Sequence, residues 1–157
     1  MFRKILVGLD GSKLAEQILP YVTAEAEKHG STVLLLQVVT SQPVMMLPGV
    51  PGMAGGPVST QTLVDQLDRE EKQARTYLRQ MAQKLRRKGL KVKTVLLQGA
   101  PPGEAIVKYA AEKKVGLIAI ATHGRGGLGR LFYGSVADHI LKHSAIPVLV
   151  VRPRETA

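Results

Sequence analysis

Five short runs that read as strands, each separated from the next by a helical pattern or a turn cluster, leave this chain few folds. The runs are 5–9, 33–39, 92–97, 117–121 and 148–151. The second, 33–39, is nearly all aliphatic and reads as a strand covered on both faces, as parallel strands are. Leu14, Ile18, Val22 and Ala26 recur at four-residue spacing and predict a helix that Pro20 kinks or shortens and Gly30 stops. Leu63, Leu67, Ala74, Leu78, Met81 and Leu85 form one apolar stripe, with charges opposite, up to Gly89. Pro101 and Pro102 suit the first turn of a further helix running through Ile106 and Ala110 to Lys113 and Lys114. A short helix at 135–143 precedes the last run. Strands alternating with helices mean right-handed crossovers and a parallel sheet. The expected architecture is therefore α/β: a single doubly wound five-stranded parallel sheet, Rossmann-like, with helices on both faces and a ligand crevice at the carboxyl ends of its strands.

The length of 157 residues suits one domain over 1–157. Within it, residues 41–64 carry no charge and hold Pro43, Pro48, Pro51 and Pro57 among four glycines, so 41–60 reads as a flexible Pro/Gly-rich loop. The absence of cysteine excludes disulfides, thiolate metal sites and a cysteine nucleophile. No run approaches the ~18 apolar residues of a membrane span, and Ile5-Leu6-Val7 is too short for a signal-peptide core. The expectation is a soluble cytoplasmic protein without membrane attachment. Its net charge of +10 favours anionic partners. Lys84, Arg86, Arg87, Lys88, Lys91 and Lys93 crowd together with no aromatic residue among them, so weak, sequence-blind contact with nucleic acid is expected and no specific site.

The informative residues of such a sheet lie just after its strands. Asp10-Gly11-Ser12 follows the first run, Val38 and Val39 end the second, and a glycine-rich loop from Thr122 follows the fourth. That loop contains His123, Gly124, Arg125, Gly126, Gly127, Gly129 and Arg130, and Gly134-Ser135 then opens the next helix. Glycine backbone approaches an anion closely, and a helix amino terminus favours phosphate. Arg125 and Arg130 add charge, so the loop reads as a phosphate-binding element; the alternative is a solvent loop whose glycines only turn the chain. Residues 124–129 match G-x-G-x-x-G, yet they follow the fourth strand instead of the first, and no Walker Gly-Lys-Ser/Thr occurs. His139 and His143 have a metal-compatible spacing but lack the glutamate of H-E-x-x-H, which favours a solvated helix face. Ser135, Asp138 and His139 share one helical turn and cannot form a catalytic relay. Asp10 can equally cap a helix together with Ser12.

Gly124, nine residues, Gly134-Ser135, a helix and then Pro147-Val148-Leu149-Val150-Val151 resemble the universal stress protein family. Ile5-Leu6-Val7-Gly8-Leu9-Asp10-Gly11-Ser12 resembles that family's first strand and turn, and the likeness runs from residue 3 to about 152. The nucleotide-binding branch begins its glycine motif where this chain has Ala121. The resemblance implies the universal stress protein type of fold and a pocket between the first and fourth strands for ATP, with Mg²⁺ on the phosphates and no metal ligand from the protein. Leu9 and Asp10 would lie near base and ribose, Val38 at the adenine, and Ile120 and Ala121 on the ribose side. Gly124, Arg125, Gly134, Ser135 and Val136 would surround the phosphates, with Ala137 closing the helix start.

The resemblance implies a stress-response or signalling module that binds adenine nucleotide and acts through a protein partner the sequence does not identify. No residue stands out as catalytic, so hydrolysis of ATP is expected to be slow or nil. The alternatives are a weak ATPase and a family member that binds no nucleotide and acts through partners alone. Val148–Val151 is expected at a sheet edge, where two-fold pairing would cover it in a homodimer.

Overall fold

The computed structural model describes residues 1–40, 60–122 and 134–153. The chain order is β1 (Lys4–Leu9), α1 (Lys13–Glu16), α2 (Leu19–His29), β2 (Thr32–Val39), α3 (Thr60–Arg86), β3 (Lys91–Gln98), α4 (Pro102–Glu112), β4 (Leu117–Ala121), α5 (Ser135–His143) and β5 (Val148–Val151). The five strands form one sheet in the order β3-β2-β1-β4-β5, and every pairing is parallel. This is the expected α/β architecture.

Two apolar clusters hold the helices to opposite faces. Ile5, Val7 and Leu9 meet Ile18, Val22, Leu78, Met81 and Leu85 from α2, α3 and the segment before α2 on one face. Leu6, Leu34, Leu36, Ile118 and Ile120 meet Ile106, Ala110, Ala137 and Ile140 from α4 and α5 on the other. Period-two strands thus feed both clusters, and Ile5, Leu6 and Val7 are fully buried.

The first helical stripe is split. α1 ends at Glu16 and α2 begins at Leu19, with Pro20 in its first turn, where its missing N–H is harmless. Pro20 therefore starts a helix instead of kinking one. Gly30 closes α2 in the left-handed conformation, with φ of 61°. β3 is one residue longer at each end than the expected strand 92–97, because a strand at the end of the described sheet tolerates exposed polar ends. The proline-rich stretch through residue 59 lies outside the described residues. No described helix is long and apolar enough to cross a membrane.

Candidate functional site

β1 has β2 on one side and β4 on the other, so the chain winds away in opposite directions from the carboxyl end of β1. That switch point opens a crevice. A cleft of ≈150 Å³ occupies it. Its wall includes Leu9, Asp10, Val38, Ile120, Ala121, Val136 and Ala137, seven of the residues expected from sequence. Gly134 and Ser135 sit at the amino end of α5 beside it. Gly124 and Arg125, with His123 and Arg130, lie outside the described residues.

The turn after β1 is built by short polar side chains. Gly11 has φ of 84°, a conformation that favours glycine. Asp10 Oδ1 accepts the Ser12 N–H at 2.9 Å, and Ser12 Oγ accepts the Ala15 N–H at 3.1 Å. Ser12 is thus the cap of α1, while Asp10 fixes the turn before it and borders the cleft. Ala121 pairs with Val151 in the ladder, and Lys114 is the only non-glycine among the described residues with positive φ. A methyl group at position 121 is therefore compatible with its backbone.

Sequence reasoning missed the floor of the cleft. Gly8, Ala15, Leu36, Pro102 and Ile106 also line it. Leu36 lies two residues before Val38 and so shares its face, a signal that period two contains. A Cβ on Gly8 would stand 3.2 Å from Ile120 Cγ2 and 3.4 Å from Ile106 Cδ1, so this glycine keeps the floor open. Pro102 and Ile106 come from α4, whose approach the sequence does not fix.

The result is an apolar slot with a carboxylate on its rim and a helix amino terminus alongside. Gly134 caps α5 without a side-chain hydrogen bond, and no described atom lies within 4 Å of where its Cβ would be. Asp138 in the first turn of α5 could oppose an anion there, but Lys142 Nζ holds its carboxylate at 2.8 Å. Among the described residues no three His, Cys, Asp or Glu converge as a metal site. His139 and His143 stack at 4.1 Å, and His143 Nδ1 lies 2.9 Å from the His139 carbonyl. His139 is not on a solvated face: it packs against α4 at Gly103.

A wider, polar hollow of ≈410 Å³ shares Asp10 and Val38 with the cleft and is walled by Glu70 and Gln73 of α3. On this side of the sheet the buried Tyr77 hydroxyl has no hydrogen-bond partner. Burial, then the charges of Glu16 and Asp10, push the Tyr77 phenol well above its ordinary range. The unfolded chain releases that proton near pH 10 while the folded chain keeps it, so this group's stabilisation is complete below pH 10 and is lost as pH rises. Tyr77→Phe should leave stability at neutral pH unchanged or raise it by up to about 1 kcal/mol, since an unpaired buried hydroxyl is removed. It should also flatten the alkaline decline; urea unfolding at neutral and alkaline pH checks both.

A model of the universal stress protein family matches residues 1–152. Universal stress protein MJ0531 of Methanocaldococcus jannaschii is 32% identical over 152 residues, covering 97% of this chain and 83% of that protein. MJ0577 of the same organism is 30% identical over 160 residues, covering 99% and 98%. The solved structure of MJ0577 superposes with a TM-score of 0.80 at 28% identity over 99% of each chain. The universal stress protein of Archaeoglobus fulgidus in complex with dAMP shares the fold, with a TM-score of 0.63 at 22% identity over 96% of this chain and 98% of that one.

Proposed function

This chain belongs to the universal stress protein family, and on that footing we propose that it is a cytoplasmic nucleotide-binding module taking ATP with Mg²⁺ on the phosphates. The observation that carries this reading is the meeting of an apolar slot, the Asp10 carboxylate and an uncapped helix amino terminus at one switch point. The slot walled by Val38, Ile106 and Ile120 suits a flat base, and Asp10 suits ribose hydroxyls. The first-turn N–H groups of α5 suit phosphate oxygens, and Gly124 and Arg125 would complete that end. The Archaeoglobus protein, which shares this fold, holds an adenine nucleotide. Mass spectrometry of the native protein, released from denaturant, should find an adenine nucleotide; a different bound nucleotide or none would count against ATP.

Hydrolysis is expected to be slow or nil. The described part of the cleft offers one carboxylate, Asp10, and that group already holds the turn to Ser12. Turnover with enzyme in excess over nucleotide separates a binding module from a weak ATPase. Its downstream action would run through a protein partner in a stress response or signalling.

Assembly as a homodimer through β5 completes the reading. β5 has β4 as its one strand neighbour among the described residues, and all four of its residues remain partly exposed. Two-fold pairing would cover that aliphatic edge. Leu149→Lys should shift the protein to monomer, read by light scattering at micromolar concentration. A native protein that is already monomeric there, or a variant that stays dimeric, would exclude this interface.

A further inference from the structure

The positive charge is not spread evenly. From residue 72 to 103 the chain carries nine Lys and Arg and no Asp or Glu. α3 and β3 bring this stretch to one flank of the sheet. Between them lies a groove of ≈440 Å³, lined by Arg75, Arg79, Gln83 and Arg86 of the helix and by Thr94 and Leu96 of the strand. Arg75 is held by Glu71 at 2.6 Å, and Arg86 Nη2 donates to the Val92 carbonyl at 2.7 Å. Arg79 is exposed and has no ion pair among the described residues.

Among the described residues β3 has β2 as its one strand neighbour, and two contacts fix which of its residues face outward. The Gly99 N–H donates to the Val39 carbonyl of β2, which turns the odd-numbered residues inward. The Val92 carbonyl meets the Arg86 side chain, as a carbonyl on the open side can. Alternation then sets the N–H and C=O groups of Thr94 and Leu96 along the open edge, beside the arginine groove. The flank therefore offers a hydrogen-bonding template and positive charge together.

We propose that this flank binds an extended acidic peptide segment, which adds to β3 as a sixth strand and sets alternate Asp or Glu side chains against Arg79 and Arg86. Arg79 and Arg86 stand seven residues apart on α3, about 10.5 Å along its axis. That lies between one (~6.7 Å) and two (~13 Å) same-face steps of a strand, so acids at every second position set one within side-chain reach of each arginine. A nucleic acid would use the charge but not the backbone edge. The single aromatic residue of the stretch, Tyr77, has its hydroxyl buried and offers no stacking platform. The groove shares no residue with the nucleotide cleft, so this inference does not depend on ATP binding.

Fluorescence anisotropy on the native protein tests it with a labelled peptide of alternating Glu and Val, as long as the eight residues of β3. A block peptide of the same composition and inorganic polyphosphate serve as competitors. The alternating peptide should bind about tenfold tighter than the block peptide. Arg79→Glu should weaken it about tenfold. Thr94→Pro removes an outward N–H at a position where edge strands accept proline, and should weaken it about fivefold. Circular dichroism confirms that each variant is folded, and Arg79→Glu suffices if Thr94→Pro is not. Absence of binding to the native protein, or equal affinity for both peptides, overturns the proposal. Displacement by polyphosphate with Thr94→Pro silent assigns the flank to polyanions instead and overturns it too.

Discussion

Gly134→Val should abolish ATP binding while leaving the fold in place. Gly134 stands at the amino end of α5 with φ of −57°, which any residue adopts, and its missing Cβ would point into space free of described atoms. A valine there costs up to about 1 kcal/mol as a poorer helix cap. For a chain of this size that lowers the melting temperature by roughly 2–4 °C. The same side chain would stand where a phosphate must approach the first-turn N–H groups, and affinity should fall at least a hundredfold, or about 2.7 kcal/mol. Calorimetry with ATP and Mg²⁺ beside a melting curve checks the two halves. Retained affinity would remove α5 from the phosphate site.

Gly103→Val should be the most destabilising single change near the cleft. Gly103 lies in the first turn of α4, and a Cβ there would fall 2.7 Å from His139 Cβ on α5. The obstructing atom belongs to the root of the side chain, so no rotamer of His139 relieves the clash and the two helices must separate. Overpacking of this kind costs about 3 kcal/mol, or a melting temperature lower by roughly 6–12 °C. His139→Ala should not rescue it, because alanine keeps the offending Cβ. Because Pro102 and Ile106 of α4 and Val136 and Ala137 of α5 wall the cleft, nucleotide affinity should fall as well. A variant as stable as the native protein would mean that the helices do not approach this closely.

The strand–helix alternation was legible because short apolar-rich runs alternate with helical stripes, and the nearly all-aliphatic run 33–39 has the pattern of a strand covered on both faces. β3 and β5, at the ends of the described sheet, keep exposed or partly exposed residues. Asp10 could be placed at the crevice because residues just after strands fall there in a doubly wound sheet. Leu9 and Val38, inside the strands at the ends of β1 and β2, were assigned to the pocket through the family resemblance. The strand order, which sets β1 between β2 and β4, follows from long-range pairing that no local pattern encodes. Gly8 shows the limit well. In sequence it is a weak point in a strand; in the structure it is the space between Ile106 and Ile120 that keeps the cleft open. Pro20 was legible as a break, but whether it kinks one helix or begins another depends on how α2 packs. Arg79 and Thr94 appear in sequence as separate surface residues, and only the pairing of α3 with β3 turns them into one groove.

The central claim is that the crevice at the end of β1 binds ATP, and titration calorimetry with ATP and Mg²⁺ tests it most directly. The expected result is saturable binding with a dissociation constant on the order of 1–100 μM, about −8 to −5.5 kcal/mol, accompanied by thermal stabilisation. No heat and no stabilisation at millimolar nucleotide would contradict the claim and assign this chain to the members of its family that act without nucleotide.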